Sequence, residues 1–496
     1  MMALRAPRNL GQSPESVAFA AGLIVYLACL AWLPHFIERL TPLTGDEPFY
    51  VMTAISLIED GDLDETNNYA ERDYDRFYPE GGPTDKGWDA YPDPLPPHAT
   101  QSTRPGLYSK HGLGLTLLIA LPYAVGGRPL TLVVLALVAA LIAANMALLA
   151  RRYSGSNAIA LVVALALSLT APLLPFSLLI FPEMPAALCI VYALRRLLEP
   201  RNAWWQWLLI GCGSAALPWL HYRLVPVSLS LAAIAVILHR HTITRWQAAA
   251  ALTAPAVGAV SLVLWFTYLY GRPLPPAADH AGFSGPLGTI NGLAGLFLDQ
   301  QWGAWIANPL LFLAVATAIL FATAYPRDAV ALAVVAGPYL GIVAAYRVWW
   351  GEWNPPARYL VDVVPLVAAP LAWWLGRASQ LSRWIALALT MIPAAAVMAT
   401  FIDDPQLMYN HPDGTARLFE NWAERFDLPL DRLIPSYVFY SASPASERLF
   451  FALAAIAWLA AVTYACWLAV RSTQGSTDPP TVQPIQSTRA GAASVA

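Results

Sequence analysis

Runs of about twenty consecutive apolar residues recur along the whole of this 496-residue chain. That is the helix length needed to cross the ~30 Å hydrocarbon core of a bilayer. The runs lie near 17–37, 129–150, 156–180, 184–199, 203–220, 224–239, 246–270, 303–324, 329–347, 358–376, 383–402 and 447–470. Composition points the same way. The chain is 57% hydrophobic and only 12% charged, whereas a soluble protein carries about a quarter charged residues. The pattern predicts an all-α polytopic membrane protein of about 12 spanning helices (about 11–13), with juxtamembrane helices in a large first outer loop.

Charge orients the spans, because arginine and lysine near span ends favour the cytoplasmic side. Arg5 and Arg8 place the N-terminus, 1–16, inside. A further candidate, 112–127, is short, holds Pro122 and is bounded by glycines. If it does not cross, every inner connection is basic: Arg151-Arg152, Arg195-Arg196-Arg201, Arg240-Arg245, Arg327, Arg377-Arg383 and Arg471. We therefore read 112–127 as juxtamembrane or re-entrant. Both termini are then cytoplasmic, on an inner (plasma) membrane. The first run is followed by Glu38-Arg39-Leu40, a poor signal-peptidase site, so it is read as an uncleaved span. The large module is 17–402. It includes an outer loop at 40–128 and a second outer segment at 271–302. An outer loop at 403–446, a last span at 447–470 and a cytoplasmic tail at 471–496 follow. The tail is rich in Ser, Thr, Pro and Gln and is expected to be disordered.

No basic patch with interleaved aromatics is present, so nucleic acid is excluded as a partner. Cys29, Cys189, Cys212 and Cys466 all fall inside apolar runs, as packing residues do. No internal repeat is visible, which argues against a transporter built from inverted halves.

The chemistry-bearing residues collect at the outer ends of the spans. Residues 41–111 hold 14 of the chain's 32 acids against five bases. Most are the solvated acids of a loop. Asp46 and Glu47 differ, because they follow the first span directly and precede a stretch of helical periodicity. Either caps that helix, or serves as a partly desolvated base at the membrane surface. The loop closes on Tyr108-Ser109-Lys110-His111-Gly112, which either anchors at the interface or binds phosphate. Glu183, in Phe181-Pro182-Glu183, stands in so apolar a stretch that it needs a reason: a cap, or a second site acid. His221 and Arg223 lie at one outer turn and Arg358 at another. Arginine there runs against the positive-inside trend. It either reaches for lipid headgroups or forks onto phosphate oxygens. Trp302 and Trp350 belong to an outer aromatic group that fits an interfacial belt or, with Tyr108, stacking on sugar rings.

Four stretches together carry a resemblance: Gly45-Asp46-Glu47, Tyr108-Ser109-Lys110-His111-Gly112, Phe181-Pro182-Glu183 and Pro356-Ala357-Arg358-Tyr359-Leu360. In their order and common outer placement, over roughly 17–376, the chain resembles the GT-C glycosyltransferases. It is most similar to the protein O-mannosyltransferase and lipid A aminoarabinose transferase branch, with its bacterial membrane relatives. The resemblance implies a sugar donor carried on polyprenyl phosphate, and a glycan, lipid or protein acceptor. Asp46 would be the base or acceptor-orienting acid, and Glu47 its motif partner. Glu183 would be the second acid, which in some relatives helps to bind a divalent metal; Mg or Mn is the one cofactor the pattern admits. Lys110, His111, His221, Arg223 and Arg358 would hold the donor phosphate. The added domains of the eukaryotic mannosyltransferases and mycobacterial arabinosyltransferases are missing, which leaves the acceptor open. A lipid-linked glycan flippase or transporter, and a glycan polymerase or ligase, are the rival readings.

Overall fold

The computed structural model describes residues 13–78, 94–99, 102–274, 282–427 and 434–438, with scattered positions between 449 and 464. The tail 471–496, Cys466, Lys86 and most of the last expected span lie outside the described residues.

Among the described residues six helices are long and apolar enough to cross a membrane: Pro14–Arg39, Leu113–Ser154, Tyr222–His239, Arg245–Tyr270, Pro326–Ala345 and Gln380–Asp403. Asn157–Ser168, Pro286–Leu298 and Leu310–Ala324 are shorter apolar helices. The helix Pro14–Arg39 lies along Leu113–Ser154, and Trp204–Leu220 along Arg245–Tyr270. Small residues let the backbones close in, as membrane helices require: a Cβ on Gly22 would stand 3.0 Å from the Ala140 carbonyl oxygen. Leu252, Val257 and Leu264 on the Arg245–Tyr270 helix are more than half exposed, which suits lipid and not water. Cys29, Cys189 and Cys212 are free thiols, and Cys29 Sγ lies 3.2 Å from Ser177 Oγ.

Three expected spans are broken. The 156–180 run is helical only over Asn157–Ser168 and then over the single turn Leu173–Phe176. The 303–324 run is interrupted at Asn308-Pro309. The 358–376 run begins in 3-10 turns and becomes α-helical only at Ala368. Prolines explain the breaks: Pro172, Pro175, Pro182, Pro309 and Pro365 each lack the N–H a continuing helix needs. Irregular backbone at membrane depth survives only inside protein, and residues 170–187 and 354–366 are almost wholly buried. The candidate re-entrant segment 112–127 is helical from Leu113 and is set off from the following span by non-helical backbone at Gly126 and Gly127.

The connections sort into two ends. At one, Arg152 pairs with Glu199 at 3.4 Å and lies 3.9 Å from Asp328, while Arg377 donates to the Tyr153 carbonyl. At the other, Arg39 pairs with Asp404 at 2.9 Å. There Thr103 N–H reaches the Leu269 carbonyl at 2.8 Å, and Asn410 reaches the Gln301 carbonyl at 3.0 Å. Among the described residues, the basic connections expected inside gather at the first end, and the described parts of the three large segments expected outside gather at the second.

Candidate active site

Gly45 makes the first turn of the site. Its φ is +62°, and a Cβ there would stand 2.9 Å from the Trp353 carbonyl oxygen and 3.3 Å from the Phe181 ring, so only glycine fits. Asp46 follows as the residue before the helix Glu47–Ile55, but its side chain makes no capping bond. Its Oδ2 instead accepts from Arg358 Nη2 at 2.5 Å.

Arg358 ties the site together. Its Nε donates to Glu183 Oε1 at 2.7 Å, and its Nη1 to the Gly351 carbonyl at 3.2 Å. The residue before it, Ala357, has φ +61°. That left-handed conformation is strained for alanine. It is held by the Ala357 N–H bond to the Trp302 carbonyl at 3.0 Å. Arg223 Nη2 donates to the same Glu183 oxygen at 2.7 Å and lies 3.9 Å from Asp362. Asp362 in turn accepts from the Tyr339 hydroxyl. Three carboxylates and two guanidiniums therefore share one desolvated network, in which each charge depends on its partners.

The end of the first outer loop forms the opposite wall. Gly112 lies so close to the end of the Trp204–Leu220 helix that a Cβ would be 2.4 Å from the Leu220 carbonyl oxygen. Ala99 and Ser109 pair in an antiparallel bridge, and Lys110 N–H bonds the His98 carbonyl at 2.9 Å. Between the walls is an open cleft of about 200 Å³, bordered by Asp46, Tyr108, Lys110, His111, His221, Arg223 and Arg358. Among the described residues Lys110 is exposed and has no ion-pair partner. An apolar groove of about 630 Å³ adjoins this cleft, between the helices Trp204–Leu220, Tyr222–His239, Arg245–Tyr270 and Pro326–Ala345.

Charge in the cleft is set by these contacts. Burial alone would raise the Asp46 carboxyl, but Arg358, His111 and His98 together hold it well below the usual carboxylate range. Burial pushes the His111 imidazole down to about 4; Asp46 opposes the fall while Lys110 and Arg358 deepen it. His98 falls to about 3 through burial, Lys110 and His111. At neutral pH Asp46 is thus ionised, and the His98 and His111 imidazoles near it are neutral.

No protein-family profile and no curated protein matches this chain. Two solved structures are similar in fold. One is ArnT from Cupriavidus metallidurans bound to undecaprenyl phosphate, at 14% identity and a TM-score of 0.49, covering 92% of this chain and 76% of that one. The other is the apo oligosaccharyltransferase of Archaeoglobus fulgidus, at 13% identity and a TM-score of 0.41, covering 84% of this chain and 60% of that one.

Four of the residues singled out in the sequence do not border the cleft. Glu47 is 1% exposed and faces away; its Oε1 accepts the Ile180 N–H at 2.9 Å, fastening its helix to the broken segment. Glu183 is fully buried behind the two arginines. Both guanidiniums bond its Oε1, while its Oε2 has no hydrogen-bond partner among the described residues. Trp302 is 2% exposed and serves the core, its backbone supporting Ala357. Trp350 packs against Trp302 with ring centroids 6.2 Å apart. The aromatic faces that do border the cleft include Tyr108, Trp219, Trp265 and Tyr359. Sequence reading passed over Asp362, Tyr339 and His98. Asp362 had a signal, an acid inside an apolar run; His98 had none.

Proposed function

We propose that the protein is a membrane glycosyltransferase that moves a sugar from a polyprenyl-phosphate donor to an acceptor hydroxyl on the outer face, by a single inverting displacement. One observation carries this reading: the apolar groove adjoins the polar cleft, and Pro218, His221, Tyr222 and Arg223 border both. A ligand that fits the pair has a long hydrocarbon tail and an anionic head. Hydrocarbon in the groove leaves water, and the head meets cations at the junction. A polyprenyl phosphate has this form. The basic connections at the far end of the helices support placing the cleft on the non-cytoplasmic side.

In the proposed reaction the acceptor oxygen attacks the anomeric carbon from the face opposite the phosphate. The bond from that carbon to the phosphate oxygen breaks, and the phosphate leaves with the electron pair. Lys110, which has no ion-pair partner among the described residues, meets the growing negative charge, and Arg223 borders both cleft and groove. Asp46 accepts the hydrogen bond of the acceptor hydroxyl and takes its proton as the new bond forms. Its pairing with Arg358 keeps it ionised and aimed, so it orients the acceptor more than it pulls on the proton beforehand.

The test is release of polyprenyl phosphate by purified protein from a panel of polyprenyl-phosphate sugars. Release by the wild type and not by Asp46→Asn supports the reading. Counterflow of intact donor across a vesicle membrane, without covalent product, would replace it with a flippase.

A further inference from the structure

The first outer loop brings two imidazoles and a carboxylate together beside the cleft. Ligand atoms of Asp46, His98 and His111 all lie within 4.8 Å of one another. Nδ1 of His98 and Nε2 of His111 are 3.4 Å apart. That is longer than the ~2.7–3.2 Å of an ordinary N–H donor bond. It is the spacing of two ligands on one tetrahedral ion: with metal–nitrogen bonds of about 2.0–2.1 Å, tetrahedral geometry puts the two nitrogens about 3.3–3.4 Å apart.

The rings are held in place before any ion arrives. Phe49 stacks on His98 with centroids 3.5 Å apart and planes 16° apart, and Tyr50 packs on His111 at 4.9 Å. Phe49 and Tyr50 belong to the helix that begins directly after Asp46, so the carboxylate and both ring supports move as one unit. The Ala99–Ser109 bridge and the Lys110-to-His98 backbone bond fix the two histidine-bearing stretches against each other. Ligands locked by packing in this way are what a metal site needs.

We propose that Asp46, His98 and His111 form a divalent-metal site of the zinc class, with its remaining coordination position turned toward the cleft. Two imidazoles and one carboxylate suit zinc or a neighbouring transition metal, whereas magnesium selects oxygen ligands. Three protein ligands with one open position is the arrangement of a zinc centre that meets a substrate oxygen. Asp46 and His111 both border the cleft, so that oxygen would come from a molecule bound there. Asp46 can serve Arg358 and the ion together, because a carboxylate offers about four lone-pair sites on two oxygens. The site is distinct from the metal expected at Glu183, and its direct test does not depend on the transferase reading.

The experiment uses the full chain in detergent, stripped with a chelator and titrated with Co(II), read by visible ligand-field absorption and by calorimetry with Zn(II). The expected result is one equivalent of Co(II) with the absorption of a four- or five-coordinate centre, bleached by Zn(II). His98→Ala, His111→Ala and His111→Gln should each lower affinity by about 100-fold or more. His241→Ala, at an exposed histidine at the far end of the helices, should bind as the wild type does. The wild-type titration guards against misfolded variants: a wild type with no saturable cobalt band overturns the proposal by itself. So does a band that survives both His98→Ala and His111→Ala. Saturable binding without turnover of any donor leaves the site standing and removes the transferase. Undiminished turnover by a protein that binds no metal does the reverse.

Discussion

Nε of Arg358 and Oε1 of Glu183 are 2.7 Å apart, though 175 positions separate them in the chain. The bond joins the strained turn at Ala357 to the first turn of the helix Glu183–Leu197, two pieces of broken span that Arg223 also bridges through Glu183 and Asp362. Glu183 is fully buried and Arg358 is 7% exposed. Water cannot take over either charge when the other is removed.

Arg358→Ala should therefore destabilise the protein by about 3–5 kcal/mol, the range for stranding one member of a buried ion pair. Arg358→Lys should recover little, because an ammonium cannot hold Glu183, Asp46 and the Gly351 carbonyl from one plane. Thermal unfolding in detergent reads both. A lysine variant that melts with the wild type would show that charge alone, and not the fork, is what this site uses.

Asp46→Asn should separate chemistry from stability. The Asp46 side chain is 23% exposed where that of Glu183 is wholly buried, so solvent can compensate part of its loss. Turnover with a polyprenyl-phosphate sugar should fall by about 10²–10⁴. The melting temperature should drop less than in Glu183→Gln. Equal drops in melting temperature, with turnover unchanged, would reduce Asp46 to a structural residue.

What the sequence made legible follows from what a periodic pattern can encode. Apolar runs mark the spans, and acids or arginines that violate the apolar pattern or the positive-inside trend mark Asp46, Glu183, Arg223 and Arg358. Direction is another matter. Asp46 and Glu47 are consecutive, and successive side chains near a helix start diverge by about 100°. When Asp46 meets Arg358, Glu47 must point elsewhere, and it bonds to Ile180. The motif pair thus splits into one cleft residue and one structural one. The breaks in the 156–180 and 358–376 runs were written in their prolines, yet hydropathy alone reads through them. Trp302 looks like a belt residue by position, but its depth depends on the Asp299–Trp302 turn that the 434–438 segment covers. His98 gave no signal, because its meaning comes from pairing with the Ser109–His111 stretch.

The groove makes a prediction about chain length. Ala232 borders it between the helices Tyr222–His239 and Arg245–Tyr270. Ala232→Trp would fill space that several isoprenoid carbons would otherwise occupy, each worth about 0.8 kcal/mol when buried. The rate ratio of a long-chain to a short-chain donor should fall about tenfold or more, equivalent to about 1.4 kcal/mol. A competition assay with both donors in one reaction measures that ratio directly. An unchanged ratio would place the lipid tail outside the groove.

Glu65 offers a pH-dependent test of how the first outer loop is held. It is 1% exposed, its carboxyl accepts from Thr53 Oγ1 at 2.5 Å, and its N–H bonds the Leu107 carbonyl at 2.8 Å. Burial raises the carboxyl to about 7, with Asp64 adding to the rise and the Thr53 bond opposing it. The folded protein therefore binds this proton more tightly than the unfolded chain does. Between the ordinary glutamate range near ~4.3 and about 7, stability contributed here declines as pH rises, and above that it stays low. Glu65→Gln keeps the shape and the acceptor but has no charge to bury. It should melt with the wild type near pH 4 and above it at pH 8. A melting difference that does not change with pH would mean that Glu65 is already solvated in the folded loop.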